Sequence, residues 1–383
     1  MKLYVHCPQW FIRPRNTDWR YVRYTLPRMS EYGASFSFIL STSVATVWRT
    51  NARYLETALR RRMFRPRTYA LGTAIDQDEF KRSGCGALYC HDDFPLRAEG
   101  IPVVWQNSLL DREMLEAAGV DANRYSQLIE EKREGFKAAS LVLVSTEAER
   151  SRLSRMFPDC EARFAAVPFF LPGCEIIQTD ALEQKIMRDE ILRCVFVGHE
   201  AKRKGLDRVY RAISGLRPSV RARVHLTVVS AEADGRVDPP PFANLRIHKA
   251  LPRSRVLSLM RSSDVLLMPS LFESYGLVFV EAMSQGTIPV VPDWEVQREI
   301  VDYGRAGIVT SGDPSELSAL IERLCEDKRW RSDLAQNASA RFAARYTPER
   351  VVHAFEEALN RTFVHGVNGD IPGFNLPGMS SEP

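Results

Sequence analysis

The sequence predicts an α/β protein with two domains, each built on a parallel sheet. Short, continuously apolar segments recur along the 383 residues, and amphipathic segments with helical spacing lie between them. Continuous apolar runs are typical of strands covered on both faces, and strands that alternate with helices are typical of parallel sheets. A chain of this length is long enough for two domains that each bury a core of their own.

The apolar runs predict strands in both halves of the chain. In the first half the predicted strands are residues 3–7, 35–40, 87–90, 102–105, 141–144 and 164–167. In the second half they are residues 194–197, 224–229, 245–248, 265–268, 288–291 and 307–309. The clearest predicted helices between them are residues 125–138, 147–157, 207–215, 253–262 and 314–325.

The domain boundary is predicted between residues 172 and 193, where a Pro-Gly turn signal is followed by a polar stretch. We therefore expect an N-terminal domain over residues 1–180 and a C-terminal domain over residues 181–347. A last helix over residues 348–363 is predicted, because Thr347 is a good N-cap and Pro348 a good first-turn residue. The tail, residues 364–383, is rich in Gly, Pro and Ser, and we expect it to be poorly ordered.

Charge is distributed unevenly along the chain. Residues 1–82 carry 15 Lys or Arg against 6 Asp or Glu, whereas the whole chain has a net charge of +4. Aromatic residues such as Trp10 and Trp19 are interleaved with these arginines. Such a basic segment suits anionic lipid headgroups, nucleic acid or an anionic acceptor, and it is equally consistent with a solvated basic face.

The cysteines and the N-terminus indicate a reducing compartment. The seven cysteines are scattered and form no C-x-x-C pair, so neither a disulfide framework nor a zinc site is predicted. The N-terminus lacks the apolar core of a signal peptide, and no apolar run approaches the roughly 20 residues needed to span a bilayer. We expect a cytoplasmic protein with possible peripheral contact, through its basic N-terminal segment, with the inner face of the cell membrane.

Two glutamates stand out in the second half of the chain. Glu273 follows a predicted strand, Gly276 marks the predicted start of a helix, and Glu281 lies in that helix's second turn. A glycine at a helix start allows close approach of a phosphate to free backbone N–H groups at the positive end of the helix dipole. A carboxylate on the same helix can accept two hydrogen bonds from a ribose diol.

The string E-S-Y-G-L-V-F-V-E-A, followed by G-T-I-P-V-V, closely resembles the donor-site signature of family 4 retaining glycosyltransferases with the GT-B fold. The resemblance extends from about residue 194 to residue 355. It implies two Rossmann-like domains facing across a cleft, with the last helix crossing back to the N-terminal domain. It also implies transfer of a sugar from a nucleotide-diphosphate donor to a polysaccharide, lipopolysaccharide or lipid-linked acceptor.

A second segment, from Cys194 to Asp207, resembles the strand, glycine and Lys-Gly loop with which this family grips the donor diphosphate. Lys204 matches the family lysine and Arg203 is its candidate partner, while His199 stands where relatives commonly have Arg. The resemblance implies that Glu273 holds the donor sugar, that Glu281 holds the ribose, and that Lys204 and Arg203 hold the diphosphate. The further donor-binding residues that it implies are Gly198, Leu251, Ser274, Tyr275, Gly276 and Leu277.

The resemblance thins in the first half of the chain. Relatives often place a histidine after the strand that ends near Trp105, whereas this sequence has Gln106 and Asn107 there. His91, at the end of another predicted strand, is a further catalytic candidate, because open α/β sheets bind ligands at the carboxyl ends of their strands. Its alternative is a structural role. Glu131-Lys132-Arg133-Glu134 is interpreted as surface ion pairing on a helix.

We expect no cofactor and no metal requirement. His91-Asp92-Asp93 offers no geometry that selects a metal, and GT-B enzymes generally do not need one bound by a D-x-D motif. Two alternatives stay open: a non-catalytic sugar-nucleotide-binding subunit, and a nucleotide-sugar epimerase of similar architecture. No nucleic-acid partner is expected, because the fold and the motifs explain the sequence without one.

Overall fold

A computed structural model of the chain describes residues 1–6, 25–40, 77–91, 100–107, 112–117, 119–188, 190–232 and 242–364. These residues group into two compact units, divided after Pro172 and again after Thr347, and residues 110–121 group with the second unit. Each unit is a parallel-sheet α/β structure, which confirms the predicted fold class.

The first unit contains six strands among the described residues. They are β1 (Lys2–His6), β2 (Ser37–Leu40), β3 (Ala87–His91), β4 (Val103–Gln106), β5 (Leu141–Val144) and β6 (Phe164–Ala166). All pair in parallel, in the order β2-β1-β3-β4-β5-β6. Its helices are α1 (Gln77–Ser83), α3 (Ala122–Ala138), α4 (Glu147–Met156) and α13 (Pro348–Phe363), with 3-10 turns at Leu26–Tyr32 and Pro158–Arg163.

Successive residues of these strands are buried on opposite faces of the sheet. On one face Ala87, Tyr89 and Val104 pack against the last helix, α13, through a cluster that includes Phe355. On the other face Leu88 and its neighbours form a second core cluster with aromatic residues of α3 and the segment that follows α4. Because α13 lies in the core of the first unit, the predicted return of the last helix to the N-terminal domain is confirmed.

The second unit also contains six parallel strands among the described residues. They are β7 (Leu192–Val197), β8 (Val224–Val229), β9 (Leu245–His248), β10 (Val265–Leu267), β11 (Ile288–Pro292) and β12 (Ile308–Thr310). The helices are α2 (Arg112–Ala117), α5 (Thr179–Ile186), α6 (Leu206–Gly215), α7 (Pro218–Arg221), α8 (Arg253–Ser262), α9 (Leu277–Ser284), α10 (Glu295–Ile300), α11 (Pro314–Glu326) and α12 (Lys328–Arg345).

The strand order of the second unit, β12-β11-β10-β7-β8-β9, reverses its direction between β10 and β7. The two strands are paired in parallel, with Val265 opposite Cys194 and Leu266 opposite Val195. Their carboxyl ends therefore lie side by side. Such a reversal is the place where open α/β sheets bind ligands.

The structure differs from the sequence prediction mainly in two helices. The stretch after Pro172, which was expected to be a polar boundary region, contains α5, whose Leu182 and Lys185 are buried. The 18-residue helix α12 carried no strong apolar stripe in the sequence; its buried residues include Leu334 and Phe342 together with the small Ala335 and Ala338. No helix within the described residues is long and apolar enough to cross a bilayer.

Several sequence predictions concern residues that are not described. The arginine-rich parts of the N-terminal segment (residues 13–23 and 49–67), the pair Asp92-Asp93, and residues 365–383 of the tail lie outside the described residues.

Lys185 is a buried cation that ties α5 to the rest of the second unit. Its Nζ donates hydrogen bonds to Thr287 Oγ1 at 2.9 Å, to the Gln285 carbonyl at 3.0 Å and to the Met260 carbonyl at 3.3 Å. Burial lowers the pKa of Lys185 to about 7, although the carboxylate of Asp264 opposes this shift. Three neutral acceptors satisfy the donors of the ammonium group without supplying the charge that would offset its desolvation.

The lowered pKa of Lys185 predicts a pH-dependent stability of the second unit. Between pH 7 and the unfolded-state value of 10.5 the unfolded chain holds this proton more strongly, so the free energy of unfolding rises with pH across that window. In Lys185→Met this rise should be absent, whereas Lys202→Met, at an exposed lysine, should keep it. The measurement is the urea midpoint of each variant at half-unit steps between pH 6.5 and 9.5. Parallel profiles for wild type and Lys185→Met would contradict the prediction.

Candidate functional site

Two loops at the carboxyl ends of β7 and β10 form the candidate site. The first loop, residues 198–205, joins β7 to α6, and the second, residues 268–276, joins β10 to α9. The backbone N–H of Leu271 in the second loop donates to the carbonyl of Arg203 in the first, at 2.8 Å. The fold therefore brings together the two segments that sequence analysis singled out 70 residues apart.

Lys204 and Glu273 form an ion pair between the two loops. The Nζ of Lys204 donates to Oε2 of Glu273, and the two side chains are only 13% and 9% exposed. Gly198 lies directly beneath the lysine, since a Cβ added there would be 2.8 Å from Lys204 Cγ. Lys204 and Glu273, both predicted to bind a charged substrate, thus neutralise each other in a largely buried position.

Gly276 caps the start of α9 in a left-handed conformation, with φ 85° and ψ 65°. A Cβ there would lie 2.4 Å from the ring of Phe279, so the position requires glycine for both its backbone and its packing. No side chain of the described residues caps this helix end, and within those residues the N–H groups of Leu277 and Val278 make no backbone hydrogen bond, whereas that of Phe279 donates to the Gly276 carbonyl at 2.9 Å. The predicted helix start is therefore observed, and its binding of a phosphate stays a prediction.

Three side chains hold the second loop by its backbone carbonyl groups. Arg203 Nη1 donates to the Phe272 carbonyl at 3.0 Å, and Trp294 Nε1 donates to the Leu271 carbonyl at 3.2 Å. The fully buried Gln297 donates from one Nε2 to the carbonyls of residues 273 and 275, at 3.2 and 2.8 Å. Buried carbonyl groups need such donors, because an unmet one costs about 1–3 kcal/mol. The loop conformation is therefore set by side chains from elsewhere in the unit.

Sequence analysis assigned Arg203 to the diphosphate and did not identify Trp294 or Gln297. In the structure the guanidinium of Arg203 also bonds Glu200, with Nε 2.7 Å from Oε2, and it stacks 5.0 Å from the centre of the Phe272 ring. Trp294 and Gln297 lie at and within α10, beyond the signature string. Their role depends on tertiary contact, and no local pattern in the sequence marks it.

Glu281 projects from α9 next to Arg253, the first residue of α8. Arg253 Nε lies 2.6 Å from Oε1 of Glu281, and Arg253 Nη2 lies 2.9 Å from Sγ of Cys174. One oxygen of Glu281 therefore already accepts from the protein, and its predicted hydrogen bonds with a ribose diol stay a prediction. Leu251, two residues before Arg253, is half-buried, Ser274 is exposed and Tyr275 is buried.

The ends of β7, β8 and β9 are joined by backbone and hydroxyl contacts. Ser230 follows β8; its hydroxyl donates to the His199 carbonyl at 3.2 Å and its N–H to the His248 carbonyl at 2.9 Å. His199, which follows Gly198, is exposed. The residues at the ends of these three strands are thus ordered around the same sheet edge as Lys204.

A buried polar cluster lies at the carboxyl ends of β3 and β4 in the first unit. His91 is 3% exposed and pairs in register with Gln106, and the Tyr89 hydroxyl lies 3.3 Å from His91 Nδ1 and also donates to Gln106 Oε1. Asn107 Oδ1 accepts from Lys132 Nζ at 2.5 Å. His91 thus lies at a strand end, as expected, and its place near a donor sugar stays a prediction.

The interpretation of Lys132 as part of a surface charge run was wrong. Lys132 is 9% exposed, bonds Asn107, and lies with Nζ 5.1 Å from the centre of the Trp105 ring. The run Glu131 to Glu134 spans one helical turn, and a turn necessarily places one of four residues on the buried face of α3. Its neighbour Arg133 does make the expected surface contact, with Nε 3.7 Å from Oε2 of Glu130.

Comparison with known proteins places a family match on the second unit. Residues 180–341 match the model of the family Glycosyl transferases group 1. Among curated proteins, the D-inositol 3-phosphate glycosyltransferase of Corynebacterium kroppenstedtii is 26% identical over 250 residues, 58% of this chain and 54% of that protein. The protein of the same name from Thermobifida fusca is 25% identical over 232 residues, 56% and 52% of the two chains. The match spans about half the length of these relatives.

Solved structures resemble the chain over nearly its full length. Sucrose-phosphate synthase from Thermosynechococcus elongatus has a TM-score of 0.65 at 14% identity and covers 95% of this chain and 99% of its own. WaaG, a glycosyltransferase involved in lipopolysaccharide biosynthesis, has a TM-score of 0.59 at 16% identity and covers 94% and 98%. At these identities the likeness is one of fold, and it agrees with the GT-B fold expected from the sequence.

Substitution of Gly205 would test how closely the loops after β7 and β10 must approach each other. Gly205 has φ 83°, and a Cβ there would lie 2.3 Å from the Pro269 carbonyl oxygen. Gly205→Ala should lower the free energy of unfolding by about 3 kcal/mol, since left-handed strain and overpacking each cost roughly 1–3 kcal/mol. Gly304→Ala is the matched control, because Gly304 has φ 93° with nothing within 4 Å, so only the strain applies. Urea unfolding measures both variants, and equal losses would contradict the close approach.

Proposed function

We propose that this chain is a retaining glycosyltransferase that takes a sugar from a nucleotide-diphosphate donor bound by its second unit. The observation that carries the proposal is the Lys204–Glu273 pair at the sheet's reversal point, in the loop that leads to the start of α9, where Gly276 is the N-cap and no side chain of the described residues caps the helix. The family match to residues 180–341 and the curated glycosyltransferase relatives support the same class of reaction.

The diphosphate of the donor would bind between Lys204 and the first turn of α9. Lys204 would exchange the carboxylate of Glu273 for phosphate oxygens, and the N–H groups after Gly276 would donate hydrogen bonds to the remaining phosphate oxygens. The negative charge of the nucleoside diphosphate increases as it leaves the sugar. Lys204 and the N–H groups of α9 would therefore stabilise the transition state more than the bound donor, and this difference lowers the barrier. Arg203 would serve the same step by holding the loop at Phe272.

Once Lys204 has moved to the phosphate, Glu273 is released to accept hydrogen bonds from hydroxyl groups of the donor sugar. Its backbone is fixed by Gln297, so the carboxylate stays in place while its partner changes. Glu281 would accept from the ribose, and Leu251 would cover the base. The incoming hydroxyl would pass its proton to the departing diphosphate on the same face of the sugar, so that the protein contributes position and electrostatic stabilisation.

The acceptor would be recognised by the first unit. We propose a saccharide, polysaccharide or lipid-linked acceptor, and the names of the curated relatives add a phosphorylated polyol of the inositol type. The buried polar groups at the ends of β3 and β4, among them His91, Gln106, Asn107 and Lys132, are the candidates for this side of the reaction. Contact of the basic N-terminal segment with an anionic membrane surface is part of the same proposal.

The two glutamates should respond differently to substitution. Glu281→Gln should weaken binding of the nucleoside diphosphate by roughly 10-fold, the value of one charge-assisted hydrogen bond. Glu273→Gln should leave that affinity unchanged or increase it, because Lys204 no longer has to leave a carboxylate, while turnover falls roughly 100-fold. Calorimetry with UDP, GDP and ADP measures binding, and release of free sugar from the matching nucleotide sugars measures turnover.

Glu183→Gln, at an exposed glutamate of α5, is the control for both glutamate variants. Unchanged binding and turnover in both site variants would contradict the proposal. Wild-type binding of a nucleotide sugar with neither hydrolysis nor transfer would favour the non-catalytic binding subunit instead. Inversion at carbon 2 of the donor sugar would identify an epimerase.

Transfer should not require a divalent metal. Lys204 and the start of α9 supply the positive charge that a metal ion supplies to a diphosphate elsewhere, so a chelator should leave the rate within about twofold of the untreated enzyme. The measurement is donor consumption before and after dialysis against EDTA, with and without added Mg²⁺. Complete loss of activity that Mg²⁺ restores would overturn this part of the proposal.

A further inference from the structure

Glu281 is held by an arginine that the donor-site signature does not contain. Arg253 begins α8, and its Nε donates to Glu281 Oε1 at 2.6 Å. Within the described residues, Oε2 of Glu281 accepts no hydrogen bond, and the side chain is 14% exposed. One oxygen of the carboxylate therefore has a partner in the protein, and the other has none within the described residues.

The other end of the same guanidinium is anchored on Cys174. Arg253 Nη2 lies 2.9 Å from the sulfur, and Cys174 is almost fully buried at the start of the second unit. Burial raises the pKa of the Cys174 thiol to about 11, although Arg253 opposes the shift. The sulfur is therefore a neutral thiol near neutral pH, and Arg253 is the cation of an Arg–Glu pair rather than of an Arg–thiolate pair.

The arginine joins three segments that are distant in sequence: the residue that follows the Pro172-Gly173 turn, the start of α8 and the middle of α9. A planar guanidinium with donors in fixed directions restricts the carboxylate more than a lysine would. An unrestrained Glu side chain loses conformational entropy when a ligand fixes it. The ion pair with Arg253 restrains Glu281 before a ligand binds.

We propose that Arg253 is a positioning residue for the nucleotide's ribose: it fixes Glu281 so that Oε2 accepts from the ribose diol. The inference rests on the proposed function, in which Glu281 holds the ribose. It goes further in assigning that task to a pair, and in predicting that the pair stays intact when the donor binds. Since Arg253 directly follows Leu251 and Pro252, the same residue also links the proposed base-covering segment to the ribose site.

The test separates the ribose diol from the rest of the nucleotide. UDP, GDP and ADP are each titrated calorimetrically together with their 2′,3′-dideoxy forms, and the nucleotide that binds wild type most tightly is used. Wild type should prefer the diol form by about 10-fold. Arg253→Met should bind the diol form about 10-fold more weakly and the dideoxy form within twofold of wild type, so that its preference is lost.

Two further variants make the result specific. Arg255→Met, at an exposed arginine two residues along α8, should retain the wild-type preference. Arg253→Lys, which keeps a donor and the charge, should recover part of it. Far-UV circular dichroism and the thermal midpoint establish that each variant is folded, and Arg253→Lys provides the comparison should Arg253→Met fold poorly.

The outcomes divide cleanly between the two proposals. Equal weakening of the diol and dideoxy forms by Arg253→Met, or retention of the full preference, overturns the role of Arg253 while donor binding stands. A wild type that binds nucleoside diphosphate with no diol preference overturns the ribose role of Glu281 and with it this inference. A wild type that binds none of the nucleotides overturns the proposed function itself.

Discussion

The candidate donor site depends on one constraint, the fixed backbone of the loop between β10 and α9. Trp294, Arg203 and Gln297 donate to its carbonyl groups, and these three donors come from two different parts of the second unit. A loop held in this way has little freedom to readjust, and it carries Glu273 against Lys204 and delivers Gly276 to the start of a helix. Without these three donors, Glu273, Lys204 and the start of α9 would lose their fixed arrangement relative to one another.

Of the two ion pairs of the site, one has to open and the other has to persist in the proposed reaction. The Lys204–Glu273 pair satisfies two charges that would otherwise be costly to bury while no ligand is bound, and it has to open for the donor. The Arg253–Glu281 pair orients a carboxylate and has to persist. Each carboxylate of the two pairs therefore has a cationic partner within the protein, and part of the interaction with a donor would replace an interaction that the protein already has.

The elements that carry the site were predictable because they depend on local pattern. Continuous apolar runs located β7 and β10 to within two residues of their bounds, and Gly276 located the start of α9. Gln297 and Arg253 were not recognised as parts of the site. A side chain that bonds a carbonyl or carboxylate far away in sequence produces no periodic pattern in the sequence. Helix α12 was not predicted for a related reason: nothing in the sequence distinguishes the alanines on its buried face from exposed alanines. Lys132 shows the same limit, since charge alone does not reveal which side of a helix a residue faces.

The position of α13 has a consequence for the order in which the chain acquires its structure. Val351, Phe355 and Leu359 of this helix belong to the core of the first unit, although the whole second unit intervenes in sequence. During synthesis the strands of the first unit leave the ribosome first, but the core of that unit is incomplete until α13 has also emerged. The second unit has all its residues once Thr347 has left the exit tunnel. The second unit can thus complete its core before the first, the reverse of the usual N-terminal-first order. A nascent chain that ends short of residue 348 lacks the apolar residues that α13 contributes to this core, so more apolar surface of the first sheet is exposed and prone to aggregation.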